Sequence, residues 1–543
     1  AFNMRRKLST LRVVGGIVGV TSSSIACAYT FGDEGTKRSL NFWGNMFPIY
    51  LHYRTYQLLD RDLGIISSSY ADSQYEKLHE KYSDKVKHIV YSMRGFYLKN
   101  AQVMSTQDDF VPPAYMRWVK DTQDNVPSEF KGNEARDFVA KKLKEELGLN
   151  FDDVFSDWQD DPLGVASIGQ VHKAVLRKSG QMVAVKLLVP DIEPRFRSDI
   201  KTLKNFCELA MPQHVSSFNE IEKQFLTEFD YVAEARNLEL VHNAIMPKWG
   251  DLVKVPQPFP ELCSKHILVM EYLEGVKLVD GIRSQYQLLA ERSGTTLESM
   301  EEERNEAIRL GKFAYQSLEE SRKERQWLQW YCLLNDYLLN PTNWAKLCWN
   351  TSLLRLVYGP CEIERTPLPV NLGHTLELLC KVHGNEIFEH GAFNGDPHPG
   401  NIMLLKDGRL GLIDYGQVKV MSVQERIVYA KLILALARDD VSEVQRIHFE
   451  EQGVRTKKSN PEMGYLFSAF YNDRDSPDVC KGMNIASFID YLEREDPMVA
   501  LPEAYIMAGR VSIMMRGMGK AFGLQLRMSK LWEQEAAAFL KSQ

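Results

Sequence analysis

Two carboxylates and one amide flank a predicted β-hairpin in the C-terminal half of the chain. Asp396 and Asn401 lie in the loop of residues 394–401, the hairpin is predicted over residues 402–413, and Asp414 follows it directly. Because a hairpin returns the chain to where it started, we expect Asp414 to lie near the loop. Oxygen ligands of this kind suit Mg²⁺, which takes few protein ligands and adds phosphate oxygens. The alternative is that these residues only cap turns. It does not account for the loop with Asp396 and Asn401 and the aspartate after the hairpin occurring in this order.

A lysine inside an apolar strand is the second feature that could do chemistry. Lys186 lies in the apolar run 183–189, where a buried ammonium group calls for a carboxylate and an anionic ligand. The order D-x-x-x-x-N followed by D-[FY]-G is that of protein-kinase-like phosphotransferases. In those enzymes a strand lysine contacts the α- and β-phosphates of ATP and pairs with a helix glutamate. The alternative is a lysine on an edge strand that reaches water.

An acidic helix around residues 228–234 offers carboxylates for such a lysine. Asp230 and Glu234 are four residues apart, so they are predicted to share one helix face, whereas Glu228 points elsewhere. Two acids that face different ways would serve two lysines. Taken alone, the segment is also typical of a solvated acidic face.

The loop that would cover a nucleotide is predicted before the strand pair of residues 171–189. It is rich in small residues, which let backbone N–H groups approach phosphate. It does not have the G-x-G-x-x-G spacing of ordinary kinases. No G-x-x-x-x-G-K-[ST] occurs in the chain, which excludes a P-loop NTPase.

Hydrophobic periodicity and turn residues predict the elements that position these side chains. They are helices over 73–106 and 133–147, the latter ended by Gly148, a hairpin of Val171–Leu176 with Met182–Val189, helical residues 197–245, a strand at Ile267–Met270, a helix near 375–388 and helices from Val423 onward. The domains follow as a targeting or membrane-anchor segment at 1–32, a connector with capping helices at 33–160, a kinase-like small lobe at 161–275 and a large lobe at 276–543. The large lobe contains an insert at about 283–372 that holds four of the nine tryptophans, Trp327, Trp330, Trp344 and Trp349.

The composition is that of an ordinary globular protein. Of the 543 residues, 44% are hydrophobic and 25% charged, which excludes a disordered chain, a collagen or a coiled coil. The 66 basic and 72 acidic side chains give a net charge of −6, which argues against nucleic acid as a partner. The eight cysteines contain no C-x-x-C, so neither a zinc site nor a disulfide framework is predicted, and a reducing compartment fits best.

The N-terminal segment differs from the acidic body of the chain. Four basic residues precede the first acid, Asp33, and residues 13–31 carry no charge. This pattern is typical of a mitochondrial presequence. The uncharged stretch is near the lower limit for crossing a bilayer, and its Gly and Ser content makes it a weak span. A disordered leader is the alternative.

Three motifs together resemble the UbiB/aarF-domain family of atypical kinase-like proteins. They are Ala166–His172 (ASIGQVH), Glu228–Asn237 (EFDYVAEARN) and Asp396–Asn401 (DPHPGN). The resemblance covers roughly residues 90–420, and mitochondrial members of the family are the most similar. It implies an α+β, two-lobed protein-kinase-like fold with an N-terminal helical extension and, here, a helical insert in the large lobe.

The resemblance also implies roles for particular residues, with ATP and Mg²⁺ as cofactors. Lys186 would contact phosphate with Glu234 as its partner, and Asp396 would take the catalytic-base position. Asn401 and Asp414 would hold Mg²⁺. Further ATP-binding residues would be Gly164, Ala166, Ser167, Gly169, Gln170 and Glu271. Regulatory residues would be Lys99 and Gln102, which match the family's K-x-G-Q helix, and their partners Glu228 and Asp230.

Two positions depart from the family pattern. Ala101 replaces the glycine of the K-x-G-Q helix, which would loosen its approach to neighbouring backbone. Asn394 replaces the histidine two residues before the catalytic aspartate, a position that is mainly structural. The insert is not typical of the family either, and its tryptophans would pack against the helical lobe or meet a membrane or partner.

The sequence therefore predicts a Mg-ATP-dependent atypical kinase or ATPase, associated with the mitochondrial inner membrane and supporting lipid or quinone (coenzyme Q) homeostasis. In the family, the K-x-G-Q helix is thought to favour ATPase or small-molecule chemistry over protein phosphorylation. Expected partners are ATP, a membrane or lipid, and mitochondrial proteins, with no nucleic acid. The alternatives are a kinase-shaped scaffold that binds nucleotide or lipid without turnover, and a Ser/Thr protein kinase.

Overall fold

The computed structural model describes residues 29–543, except 31, 105–110, 124–127, 131, 167, 211–221, 223–226, 293, 311, 335, 337–339, 353–358 and 364–369. Most of the expected targeting or anchor segment 1–32 lies outside these residues, as does Ser167. No helix among the residues that are described is both long and apolar enough to cross a bilayer.

The strands are short, and most pair antiparallel. They are β1 (Phe155–Trp158), β2 (Gly164–Val165), β3 (Gly169–Leu176), β4 (Met182–Leu188), β5 (Val253–Lys254), β6 (Ile267–Glu271), β7 (Gly275–Lys277), β8 (Ala392–Asn394), β9 (Ile402–Leu405), β10 (Leu410–Leu412), β11 (Val418–Val420), β12 (Arg455–Thr456) and β13 (Met498–Ala500). The exception is β10, which pairs parallel with β5.

Helices make up most of the remaining structure. They are α1 (Glu34–Gln57), α2 (Ser68–Met93), α3 (Gly95–Met104), α4 (Pro113–Val119), α5 (Glu134–Lys142), α6 (Phe151–Val154), α7 (Ile192–Ala210), α8 (Tyr231–Trp249), α9 (Leu278–Arg292), α10 (Leu297–Arg309), α11 (Leu318–Leu334), α12 (Pro341–Thr351), α13 (Leu372–Asn385), α14 (Val423–Ala437), α15 (Val441–Arg446), α16 (Pro461–Asn472), α17 (Pro477–Cys480), α18 (Ile485–Glu495), α19 (Glu503–Ala521), α20 (Met528–Leu531) and α21 (Glu533–Ser542).

The chain divides into two compact units. The first runs to Ala235 and includes residues 258–272, and the second comprises residues 236–257 and 273–543. Residues 236–257 thus group with the second unit rather than with the rest of the segment 161–275 that the sequence analysis assigned to a small lobe.

The first unit is built on an antiparallel sheet in the order β1-β3-β4-β6, with β2 paired to β3. The β3–β4 hairpin confirms the prediction, and Gly180 provides the left-handed residue its turn requires (φ 69°). Val183, Val185 and Leu187 point to one face and pack into a core with Leu143. Since side chains alternate along a strand, Lys186 points to the opposite face.

The helices of the first unit depart from the prediction at two places. The helix expected over 73–106 is broken at Arg94, whose φ of 55° ends α2, and α3 begins at Gly95. The helical segment expected over 197–245 consists of α7 and α8, with a 3₁₀ turn before α8 and the undescribed residues between them. The helix ending at Gly148 is confirmed: α5 continues as a π-helical turn to Leu147, and Gly148 has a φ of 71°.

The second unit holds the β9–β10 hairpin in a four-stranded sheet of order β5-β10-β9-β7, and the pair β8–β11. Trp532 is fully buried in its helical core and donates from Nε1 to the Cys380 carbonyl at 2.8 Å. A Cβ at Gly384 would lie 2.8 Å from the Trp532 ring, so only glycine fits there. The region after Val423 is mainly helical as predicted, but the strands β12 and β13 interrupt it.

The predicted insert is helical as far as it is described, and it leaves tryptophans exposed. Trp330 on α11 is 74% exposed, and Trp327 and Trp344 are exposed as well. Trp349 is the exception, since it donates to the Gly359 carbonyl at 3.1 Å. Of the two alternatives, packing against the helical lobe is therefore wrong for Trp327, Trp330 and Trp344.

Candidate functional site

In the first unit, the predicted lysine and glutamate meet directly. Lys186 Nζ donates to Glu234 Oε1 at 2.6 Å, and both side chains are largely buried. The ammonium group also lies 5.2 Å from the centre of the Tyr231 ring, an arrangement that stabilises a cation. A charge held in this way keeps its orientation and can neutralise a bound anion.

The acidic segment before Glu234 differs from its predicted form. Asp230 does not lie on the helix: it precedes α8, and its Oδ1 accepts the backbone N–H groups of Val232 and Ala233 at 3.0 and 3.1 Å. Asp230 is therefore a helix cap, and it shares no helix face with Glu234.

The loop predicted to cover a nucleotide forms a tight turn, in which the Ala166 N–H donates to the Gly169 carbonyl at 2.8 Å. Gly169 is required for packing, because a Cβ there would lie 2.6 Å from the Leu187 carbonyl oxygen. Gly164 has open space around it. Ser167 lies outside the described residues, and Glu271 ends β6 opposite Val183.

Gln170 of the same motif is buried and engaged within the protein. Its Oε1 accepts from Ser128 at 2.8 Å, and its Nε2 lies 2.7 Å from Nε2 of His172. His172 in turn contacts the Gln159 carbonyl at 3.0 Å, and burial lowers its pKa, so the ring is neutral at pH 7. The motif therefore follows an exposed stretch at Gly164 and Ala166 and ends in a buried pair, Gln170 and His172.

The predicted regulatory helix is α3. Lys99 Nζ lies 3.0 Å from both carboxylate oxygens of Glu228, as expected. Gln102 donates to the Thr122 carbonyl at 2.9 Å, and Asp230, the other acid predicted as a partner of these two residues, caps α8. Ala101 is buried in a cluster with Trp118, so its methyl group fills a contact where the family has glycine.

In the second unit, a single asparagine side chain is hydrogen-bonded to the backbone of both aspartates of the predicted site. Asn394 Oδ1 accepts the Asp396 N–H at 2.9 Å, and its Nδ2 donates to the Asp414 carbonyl at 3.0 Å. The side chain is only 5% exposed. Asn394, which the sequence marked as a departure from the family, therefore holds the loop and the hairpin end in register.

The hairpin brings Asn401 beside Asp414. β9 and β10 pair with Ile402 opposite Leu412, and the Ile413 N–H donates to the Asn401 carbonyl at 2.9 Å. Asp414 follows in the left-handed conformation, with a φ of 68°. Such a conformation is uncommon for a residue other than glycine and turns the chain sharply at this point.

The donor set at the hairpin end fits Mg²⁺. It consists of one carboxylate and one amide, and the described part of the chain holds no cluster of three or more His, Cys, Asp or Glu side chains that would cage a metal. Mg²⁺ is usually bound through one or two carboxylates, with waters and phosphates completing the octahedron, whereas zinc requires three or four protein ligands.

Arg510 of α19 is a site residue that the sequence analysis missed. Its Nη2 lies 3.5 Å from Asp396 Oδ1, a buried oxygen that accepts no hydrogen bond from the described residues. Arg510 also donates to the Gln417 side chain at 3.3 Å. The next residue toward the N-terminus, Gly509, lies so close to the Tyr471 ring that a Cβ would overlap it. No motif links Arg510 to Asp396, so only the fold reveals the pair.

Comparison with known proteins gives the family. The sequence model of the ABC1 atypical kinase-like domain matches residues 122–300 and 368–448. These residues are identified as an ABC1 (UbiB/aarF) atypical kinase-like domain. The resemblance and the α+β kinase-like fold expected from the sequence are thereby confirmed. The unmatched residues 301–367 fall within the segment 283–372 that we assigned to an insert.

Curated relatives are distant but numerous. AarF domain-containing protein kinase 1 of Gallus gallus is 26% identical over 69% of this chain and 58% of its own length. Protein ACTIVITY OF BC1 COMPLEX KINASE 1, chloroplastic, of Arabidopsis thaliana is 24% identical over 66% of this chain and 41% of its own length. Probable protein kinase UbiB of Aeromonas salmonicida is 32% identical over 36% of this chain and 37% of its own length. The chain thus spans about half the length of the relatives it matches.

Proposed function

We propose that this ABC1-family protein binds Mg-ATP and transfers or hydrolyses its terminal phosphoryl group. The observation that carries the proposal is the ion pair of Lys186 with Glu234. A lysine on a central strand, held at 2.6 Å by a buried glutamate, is what kinases use to neutralise ATP phosphates. A buried ion pair of this kind contributes little to stability after its desolvation cost, which favours a role in binding.

Each residue has a defined task in this proposal. Lys186 neutralises phosphate charge, and Glu234 keeps its ammonium group oriented. Asn401 and Asp414 hold Mg²⁺, which supplies charge neutralisation and orients the phosphates when bound. Asp396 orients the attacking hydroxyl or water by accepting a hydrogen bond from it, while its buried Oδ1 lies 3.5 Å from Arg510. Catalysis of this type is mainly positioning and electrostatics.

The test is Mg-dependent ATP hydrolysis and Mg-ATP binding by the wild type and by two matched pairs of variants. Asp414→Asn and Lys186→Met should lose turnover. Asp407→Asn, in the exposed turn of the same hairpin, and Lys173→Met, on β3, should retain it. Equal Mg-dependent rates from Asp414→Asn and the wild type would refute the proposal, and binding without turnover in the wild type would favour a scaffold.

We further propose that α3 restricts access of protein substrates, so that the substrate is water or a small molecule. The support is the pairing of Lys99 with both oxygens of Glu228. A Ser/Thr protein kinase is the competing function, and it predicts that release of this helix changes nothing.

We propose that α11 makes the membrane contact. It exposes Trp327, Trp330, Tyr331, Leu333 and Leu334. Tryptophan and tyrosine are enriched where proteins meet the membrane interface, and exposed apolar clusters of this kind mark binding surfaces. The test is co-sedimentation with liposomes of mitochondrial inner-membrane composition, together with their effect on ATP turnover.

The mitochondrial inner membrane is the proposed location, with a role in lipid or quinone homeostasis and partners among mitochondrial proteins. The basic, acid-free start of the chain supports the location, and the role rests on the family resemblance. A fluorescently tagged chain should co-localise with a mitochondrial marker. Deletion of residues 1–32 should abolish this co-localisation. Unchanged localisation after the deletion would contradict it.

A further inference from the structure

A cavity of about 170 Å³ lies in the C-terminal helices of the second unit. Its walls come mainly from α16 and α18. They are predominantly apolar, and the principal side chains are Met463, Phe467, Phe470, Tyr471, Ile489 and Leu492. Ile489 is 43% exposed and therefore marks an entrance. None of the phosphoryl-transfer residues lines this cavity.

His448 also lines the cavity, and one of its ring nitrogens has no hydrogen-bond partner in the part of the chain that the structure describes. The side chain is 1% exposed, and its Nδ1 lies 2.8 Å from Ser468 Oγ. Its Nε2 makes no hydrogen bond to any described residue. A buried polar atom left unsatisfied costs free energy, so such an atom in a native core calls for an explanation.

The hydrogen-bond pattern defines which group His448 offers. Burial lowers the pKa of His448 to about 4, so the ring is neutral at pH 7 and carries one proton. Either partner can be the donor in the contact between Nδ1 and the Ser468 hydroxyl. We infer that the hydroxyl donates, because it makes no other hydrogen bond in the described part of the chain; the proton of the ring then lies on Nε2, which offers an N–H donor.

A water molecule is a poor occupant of this cavity. Buried waters make about three hydrogen bonds. Most of the wall is apolar, so it offers few such partners. Of its polar side chains, the Asp496 carboxylate is already engaged: it accepts the Thr456 hydroxyl at 2.7 Å, the Lys458 N–H at 2.6 Å and the Asn460 N–H at 2.7 Å.

We propose that the cavity is a binding site for a small, largely apolar molecule that carries one carbonyl oxygen. The aromatic and aliphatic walls accept its body, and Nε2–H of His448 donates to its oxygen. A cavity of about 150 Å³ lined by apolar side chains admits a benzene ring, so about 170 Å³ suits a substituted single ring. Apolar pockets with one or a few placed polar groups are the usual form of small-molecule sites.

The experiment compares two probes of the same shape on the whole chain by ¹⁹F NMR titration. 4-Fluoroacetophenone carries a carbonyl, and 1-ethyl-4-fluorobenzene does not. The wild type should bind the ketone about three- to tenfold more tightly, the effect of one buried hydrogen bond. His448→Phe should abolish this preference.

Two further variants keep the proposal testable if His448→Phe does not fold. Ile489→Trp, at the entrance, should prevent binding of both probes. Val441→Trp, at an equally exposed apolar residue of α15 outside the cavity wall, should leave binding unchanged. The proposal is overturned if the wild type binds neither probe, if it binds both equally, or if Ile489→Trp binds the ketone as the wild type does.

Discussion

Replacement of Asn394 tests how the aspartates of the site are held. Asn394→Leu keeps the size of the side chain and removes both hydrogen bonds, to the Asp396 N–H and the Asp414 carbonyl. A buried backbone group left unpaired costs about 1–3 kcal/mol, so the loss of two predicts a destabilisation of about 2–6 kcal/mol. Displacement of reacting groups by about 1 Å costs about a hundredfold in rate, so ATP turnover should fall by a similar factor.

The family's histidine provides the complementary variant. A neutral imidazole has one donor and one acceptor, as the Asn394 amide does in this arrangement. Asn394→His should therefore retain most of the stability and turnover that Asn394→Leu loses. This equivalence explains in chemical terms why the chain can depart from the family pattern at this position.

The assays are urea unfolding followed by tryptophan fluorescence, and Mg-dependent ATP turnover per folded molecule. Asn472→Leu is the matched control, because Asn472 is also 5% exposed and makes two hydrogen bonds, to Tyr429 and Ser468. It should lose comparable stability and keep its turnover. The reasoning is refuted if Asn394→Leu behaves as the wild type, or if Asn394→His is as impaired as Asn394→Leu.

Three further outcomes are expected. Lys99→Ala should increase autophosphorylation severalfold in a radiolabelled-phosphate assay, since its contact with Glu228 is lost, and no increase would favour an ordinary protein kinase. Alanine at both Trp327 and Trp330 should weaken liposome binding severalfold without lowering the unfolding midpoint, because both side chains are exposed; unchanged binding would exclude α11 as the contact. The pKa of His448 falls from 6.5 unfolded to about 4 folded, so its contribution to stability is complete above pH 6.5 and is lost as the pH falls toward 4, by about 3 kcal/mol. Urea unfolding should show that His448→Phe lacks this part of the pH dependence, and parallel pH profiles would contradict it.

The sequence predicted the parts of the site that are contiguous or strongly patterned. The β9–β10 hairpin places Asn401 and Asp414 together because alternation and turn residues specify a hairpin locally. The pairs of Lys186 with Glu234 and of Lys99 with Glu228 required the family motifs, since nothing local links a strand lysine to a distant helix.

Other features depend on packing between distant segments. Arg510 contacts Asp396 only because α19 lies beside the loop, and no spacing of residues in the sequence predicts this contact. The break at Arg94 puts an ordinary residue at positive φ, which local propensity disfavours. Asp230 was placed on a helix face because its spacing to Glu234 is helical, whereas capping takes the carboxylate out of the helix.

Helix α19 contacts both the cavity wall, through Gly509 and Tyr471, and the loop that carries Asp396, through Arg510. Tyr471 forms part of the cavity wall, Gly509 leaves no room between the ring and the helix, and Arg510 beside it contacts the Asp396 carboxylate. A molecule that moves the Tyr471 ring must therefore repack the helix that carries Arg510. Thermodynamic reciprocity then requires that a ketone in the cavity alter Mg-ATP affinity by the same factor as Mg-ATP alters ketone affinity. A factor of one in both titrations would show that the two sites are not coupled.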